Sequence, residues 1–236
     1  GVFVQDEVEV GERLTLSAEM AGERDLVISD TSWPGYEGPP RWVIEGYATI
    51  FAEIDAALEG GGVDSPGGAS DQVVVTDDGI EVADPVTIDV AVVPLGVGAL
   101  GAAAGASLRA GFEPGAGPLL VGIEPDTAAC VAAAVEAGHV VEVPGPHRSL
   151  MAGLNCGLAS MLALPTVTAT FDALVAVDDD TCRRAIRAHA EAGMDVGETG
   201  AAALAGLMGV VDDHRAELPI PDTATVLLIA TEGVTD

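Results

Sequence analysis

The chain has 236 residues, is 49% hydrophobic, and sets 38 acidic residues against nine basic ones, all nine of them arginine, for a formal charge of −29. That length suits one large domain or two small ones with a real core. Such a charge would repel nucleic acid, which is bound by clustered Lys and Arg, and no apolar run approaches the ~18 residues that span a bilayer, so neither nucleic acid nor membrane is an expected partner.

In chain order, residues 8–22 read as a short acidic helix, and Leu26 to Ser29 as a buried strand ending at Asp30. The stretch from Trp33 to Pro40 (WPGYEGPP) is expected to be irregular, because its prolines and glycines break both kinds of ladder. A helix follows from about Arg41 to Leu58, with Val43, Ile44, Tyr47, Ile50, Phe51, Ile54 and Leu58 forming an apolar stripe of helical period. Residues 59–85 are expected to be a surface insertion: a glycine-rich loop over 59–72, then a small hairpin of Val73–Val75 with Ile80–Val82 around Asp78-Gly79.

From Val86 onward strands and helices alternate: strand 86–93, helix 99–110, strand 119–123, helix 127–137, strand 174–177, helix 180–192, helix 199–216 and a last strand, Thr225 to Ala230. Alternation of this kind predicts an α/β fold, a parallel twisted sheet with helices on both faces. Ligands of such sheets bind beyond the carboxyl ends of the strands, so the loops after Ser29, Pro94, Ile123 and Ile229 are the ones to watch.

Cys130, Cys156 and Cys182 are odd in number and lack CxxC spacing, which argues against a disulfide framework or a zinc site and for a reducing, cytoplasmic compartment. His139, His147, His189 and His214 also lack metal-ligand spacing; each reads as a surface or hydrogen-bonded histidine, and no metal is expected.

Gly96-Val97-Gly98-Ala99-Leu100-Gly101 follows a strand and opens a helix, so its backbone N–H groups can approach an anion at the positive helix end. Taken literally it is GxGxxG, and Glu124 stands at the end of the next strand where a dinucleotide-binding protein places its ribose carboxylate. A phosphate monoester needs the same cradle, so the loop alone leaves NAD and another phosphate equally open.

Several short motifs decide between them. Asp30-Thr31-Ser32-Trp33, Gly35-Tyr36-Glu37, Pro40, Trp42 through Gly46-Tyr47, the Gly96 loop, Val121 to Asp126 (VGIEPD), Met151 to Gly157 (MAGLNCG), Gly197 to Ala201 (GETGA) and Thr231 to Asp236 (TEGVTD) occur in one order over residues 27–236. In that order they resemble the fold-type II pyridoxal-phosphate enzymes, whose fold is tryptophan-synthase-β-like, and in particular the diaminopropionate ammonia-lyases.

The resemblance implies a pyridoxal 5'-phosphate cofactor whose phosphate takes backbone donors from Gly96, Val97, Gly98, Ala99 and Leu100. It implies that Asp30 holds an amino group of a small amino-acid substrate and that Glu198 lies near the cofactor ring. A hydroxyl at the end of the last strand usually meets the pyridine nitrogen; Ala230 stands about there, and Thr231 is the nearest hydroxyl. On this reading Glu124 has little to do, because the cofactor has no ribose.

The family's cofactor-bearing lysine is missing from these residues, and with it the Gly/Asn-rich loop that grips the substrate carboxylate. Both belong to an N-terminal portion of ~150 residues, by ordinary domain size. Residues 1–236 are therefore expected to be the C-terminal portion of a catalytic domain that is a homodimer at full length, and the start at Gly1 reads as a cut. The implied activity is elimination of ammonia from 2,3-diaminopropionate to leave pyruvate. A threonine/serine dehydratase-like lyase, a lysine-less inactive or partner subunit and an NAD-binding oxidoreductase are the other readings.

Acidic residues are spread along the chain rather than gathered in a tail, and lysine is absent, which points to adaptation to a salt-rich cytoplasm. Screening by molar salt shortens the range of charge repulsion to about 3 Å. Thermal melts across potassium chloride concentrations should therefore show a midpoint rising steeply from low to molar salt; a flat or falling midpoint contradicts the salt adaptation.

Overall fold

The structure, a computed structural model, describes residues 29–58, 73–76, 79–82, 87–113, 115–218 and 220–233. The expected helix 8–22, the strand Leu26 to Ser29 except its last residue, and the loop 59–72 lie outside the described residues.

Helix α1 runs Gly38–Leu58, three residues ahead of its expected start at Arg41. Pro39 and Pro40 thus stand in its first turn, where a missing N–H costs nothing and the fixed φ already suits a helix. Arg41 N–H then donates to the Glu37 carbonyl at 3.1 Å. Strands β1 (Val73–Thr76) and β2 (Gly79–Val82) form the expected antiparallel hairpin, Val75 opposite Ile80, with Gly79 paired to Thr76 inside the strand rather than in the turn.

The remaining elements are β3 (Val90–Pro94), α2 (Ala99–Leu108), β4 (Leu119–Pro125), α3 (Cys130–Ala137), α4 (Leu164–Thr170), β5 (Ala173–Val177), α5 (Asp179–Glu191), α6 (Ala202–Asp213) and β6 (Val226–Leu228). Strands β5, β4, β3 and β6 lie in that order in one sheet, every pair parallel. The helical stretches expected over 127–137 and 199–216 are shorter at their starts, because turns occupy residues 126–127 and 198–201.

Strand β3 is buried at every position, as a central parallel strand covered on both faces must be. Its side chains alternate between two cores. Val90 and Val92 join Val121, Ile123, Val175 and residues of α5 and α6 on one face. Ala91 and Val93 join Phe51, Leu120, Val131, Val167 and residues of α1 to α4 on the other. Helix α4 was not anticipated: its sequence, LPTVTAT, is rich in β-branched residues. Its Val167 and Thr170 close over Gly101 and Gly105 of α2, and packing on that small-residue face overrides local preference.

Helix α6 presses equally close to the sheet. A methyl group at Gly206 would overlap the side chain of Ile123, which is fully buried on β4. Gly206→Ala should cost about 1–3 kcal/mol, the usual penalty for overpacking a core. Gly46→Ala on the open face of α1, where an added methyl has no neighbour within 4 Å among the described residues, should be neutral or slightly stabilising. Urea denaturation of the two variants measures the contrast, and equal midpoints would contradict the close packing of α6.

Candidate functional site

Parallel strands point their carboxyl ends the same way, so the segments after β3, β4, β5 and β6 emerge along one edge of the sheet. The segment after β3 is the glycine loop. Gly98 has φ of +96°, a left-handed conformation that glycine adopts without strain, and it caps the N-terminus of α2. Its N-cap, Gly98, has no side chain to cap the helix, and the first turn carries no acidic residue. The first-turn amides of Ala99, Leu100 and Gly101 thus have no partner within their own helix, as at any helix start. A Cβ built on Gly96 would lie 3.3 Å from the Gly153 carbonyl and 3.4 Å from Cys156 Sγ, and one on Gly98 would lie 3.3 Å from Ala163 Cβ. The loop is pinned from beneath: Ser160 N–H donates to the Val97 carbonyl at 2.8 Å, and the Cys130 thiol to the Gly96 carbonyl at 3.4 Å.

Two further segments complete a run of contacts along this edge. Gly153 N–H donates to Thr199 Oγ1 at 3.1 Å. Thr199 N–H donates to the Glu232 carboxylate at 2.6 Å, and Gly197 N–H to the Glu232 carbonyl at 3.1 Å. A Cβ at Gly197 would strike the Gly233 carbonyl, and one at Gly200 the Glu232 carbonyl. The MAGLNCG, GETGA and TEG motifs therefore meet side by side next to the glycine loop. Glu198 sits half-buried in this group, its carbonyl accepting the Cys182 thiol at 3.4 Å. Thr231 and Ala230 are both exposed just past β6, while Ile229 before them is buried and bonded by its N–H to the Val92 carbonyl.

Asp30 reaches the same region through its neighbours. Ser32 Oγ and Ser160 Oγ are 2.8 Å apart, both residues are buried, and Leu162 N–H donates to Ser32 Oγ at 2.8 Å. This serine pair ties the Asp30-Thr31-Ser32 segment to the residue that holds Val97. Neither serine stands out by type in the sequence; only Ser32, inside the Asp-Thr-Ser-Trp motif, carried any signal. Asp30 is itself exposed, yet surrounding chain desolvates its carboxyl enough to raise its pKa above the ordinary value, against the opposing pull of the Asp30 and Thr31 amides. Desolvation, and then the charge of Asp30, raise the Tyr47 phenol. Trp33 stacks on Tyr36 with ring centroids 4.1 Å apart, and Ser29 N–H donates to the Tyr36 hydroxyl at 2.9 Å. Trp42 is 67% exposed on α1 and anchors no core.

Glu124 is not available to a ribose. Its side chain is 1% exposed, and its two carboxylate oxygens accept Val131 N–H and Ala132 N–H, each at 2.8 Å. It caps α3 from within, which removes the feature that favoured a dinucleotide. The expectation for the histidines holds in part: His139 and His147 each place Nδ1 against a backbone carbonyl, at 3.0 and 3.1 Å. His189 differs, being buried with neither ring nitrogen hydrogen-bonded among the described residues. No group of three or more His, Cys, Asp or Glu able to hold a metal occurs among the described residues. None of their helices is long and apolar enough to cross a membrane.

Burial pushes the Glu124 carboxyl up to about 7 from an ordinary 4.5, outweighing the amides of Val131, Ala132 and Cys130 and the Cys130 thiol that favour its charged form. The folded protein therefore binds this proton more tightly than the unfolded chain. The associated stability is fully present below about 4.5 and is lost as pH rises through about 7. That interval corresponds to about 3 kcal/mol. Unfolding free energies of the wild type and Glu124→Gln, compared from pH 4 to 8, should diverge across this window, with the wild type declining relative to the variant; parallel curves would refute it.

The family model described as pyridoxal-phosphate dependent enzyme matches residues 3–232. The diaminopropionate ammonia-lyase of Escherichia coli K12 is 27% identical over 221 residues, which cover 89% of this chain and 49% of the relative. That of Salmonella typhimurium is 26% identical over 223 residues, with 89% and 50% covered. The chain thus spans about half the length of the curated relatives it matches. Among solved structures, the Escherichia coli diaminopropionate ammonia-lyase in complex with D-serine aligns with a TM-score of 0.73 at 25% identity, over 95% of this chain and 52% of that one. The processed form of threonine deaminase isoform 2 from Solanum lycopersicum aligns at 0.61 and 20% identity, over 82% and 46%.

Proposed function

The chain belongs to the pyridoxal-phosphate dependent enzyme family, and from that premise we propose that it forms the phosphate-binding half of a carbon–nitrogen lyase acting on 2,3-diaminopropionate. The observation that carries this reading is the uncapped helix start behind Gly98, with the motifs of the lyases gathered around it. The residues fit the cofactor's phosphate. A phosphate monoester needs several N–H donors converging on one point, and the helix start at Ala99 offers them, while Gly96 and Gly98 let the loop pack directly on Gly153, Ala163 and Val131.

In this reading the backbone of Gly96, Val97, Gly98, Ala99 and Leu100 holds the phosphate, and Glu198 and Thr231 flank the ring. When bound, pyridoxal phosphate draws electrons from the substrate α-carbon, which lets the α-proton and the β-amino group leave. Asp30 orients the substrate: a carboxylate there accepts hydrogen bonds from a protonated amino group, a charge-assisted contact about twice as strong as a neutral one. Loss of the α-hydrogen and the β-amino group, followed by uptake of one water, converts 2,3-diaminopropionate to pyruvate and two ammonia. The chain contains no lysine, so the amine that carries the cofactor comes from residues other than these. The working form is a homodimer in a salt-rich cytoplasm.

Pyruvate release by the protein its gene encodes, offered 2,3-diaminopropionate, serine and threonine in parallel, tests the substrate. Diaminopropionate should be turned over fastest, and a preference for serine or threonine would move the assignment to a dehydratase. Gly98→Val should weaken pyridoxal phosphate binding about 100-fold or more, because a β-branched residue at φ of +96° is strained and its side chain would press on Ala163 and Val131 beneath the loop, moving the donors. Asp30→Asn should leave cofactor binding intact and raise the KM for diaminopropionate about tenfold. Unchanged cofactor affinity in Gly98→Val would sink the phosphate assignment.

A further inference from the structure

The VGIEPD motif takes no direct part in this reading, yet its carboxylate is the most deeply buried among the described residues, at 1% exposure. A strand carboxylate that costs so much to bury must be holding something. Glu124 accepts the amides of Val131 and Ala132, the second and third residues of α3, and so fixes the angle at which that helix leaves the sheet. The same turn of α3 supports both glycines of the loop. Cys130, its first residue, donates its thiol to the Gly96 carbonyl at 3.4 Å. Val131 places Cγ2 3.5 Å from where a Cβ on Gly98 would be. Three consecutive residues of one helix turn thus join Glu124 on one side to Gly96 and Gly98 on the other.

We propose that Glu124 is a positioning residue for the cofactor phosphate: it holds the first turn of α3, and that turn sets the carbonyl of Gly96 and the seat of Gly98, so that the loop's N–H groups converge. This rests on the reading of the glycine loop as a phosphate cradle. It goes beyond it by giving Glu124 an effect on the phosphate at one remove, where the chemistry of the cofactor alone gives it none. The substitution that breaks it is Glu124→Gln, which keeps the shape of the side chain but sets an NH₂ against one of the two amides. The amide then tilts or loses its partner, the α3 turn loosens, and the loop loses its alignment. Cys130→Ala removes the second link, and Cys130→Ser keeps a donor facing Gly96.

The test compares pyridoxal phosphate with pyridoxal, which lacks the phosphate, in equilibrium dialysis against the protein as its gene encodes it. Glu124→Gln should weaken pyridoxal phosphate binding about tenfold, the loss of about one good hydrogen bond. It should leave pyridoxal affinity within about twofold. Cys130→Ala should follow the same pattern to a smaller degree, and Cys130→Ser should restore the wild-type preference. A general loss of structure would weaken both ligands together, so an equal effect on the two, or none on either, overturns the role of Glu124. If Glu124→Gln does not fold, the Cys130 pair decides by the same criterion. Should the wild type itself bind pyridoxal phosphate no better than pyridoxal, the cradle reading fails, and the role of Glu124 falls with it; that outcome is recognisable without any variant.

Discussion

Several chain segments leave the carboxyl edge of one parallel sheet and must pass one another at backbone distance. Gly96 faces the Gly153 carbonyl, Gly197 faces that of Gly233, and Gly200 faces that of Glu232. At Gly197 and Gly200 a side chain would strike the carbonyl, and at Gly96 it would crowd one at 3.3 Å; a carbonyl has far less room to yield than the tip of a flexible side chain. Everything at this edge follows from that constraint. Close approach brings amides and carbonyls of different segments within hydrogen-bonding reach and draws three of the sequence motifs together although 80 or more residues of chain can separate their members.

Main-chain donors have an electrostatic advantage in this protein. With a net charge of −29 the field around the chain opposes any anion. Lysine is absent, and Arg109, Arg183, Arg184 and Arg215 are all engaged with aspartates. Peptide dipoles need no counter-charge. The N–H groups at the start of α2 can hold a phosphate by direct hydrogen bonds, without a cation. The same logic explains Glu124. A carboxylate accepting backbone amides in the interior is satisfied by dipoles rather than by a cation, at the expense of a carboxyl that titrates near 7.

The differences between expected and observed elements have physical causes. Helix α1 reaches back to Gly38 because prolines that stop a helix from within fit its first turn. Helix α4 forms from a segment of Thr and Val because Gly101 and Gly105 of α2 open a groove that a helix can fill. Neither fact can be read from the segment concerned; each depends on what lies against it. The hairpin of β1 and β2, by contrast, depends on local alternation and is legible in the sequence, although its turn falls before Gly79. His189 shows the limit in another way: its type and spacing say nothing of a buried ring without partners among the described residues.

From the sequence alone came the alternation of strands and helices, the parallel sheet covered on both faces, the glycine loop at a helix start, and the ordered motifs of the pyridoxal-phosphate enzymes. All of these are properties of neighbours along the chain, where period, turn chemistry and short motifs carry the information. The tertiary structure decided the rest: that Glu124 faces inward to α3 rather than outward to a ribose, that Ser32 and Ser160 join across 128 residues, and that Cys130 and Val131 bear on the glycines. Those facts depend on which face of a strand a side chain takes and how closely two helices approach. Both are settled only when the whole core closes, because the free energy that selects them comes from burying groups distant in sequence.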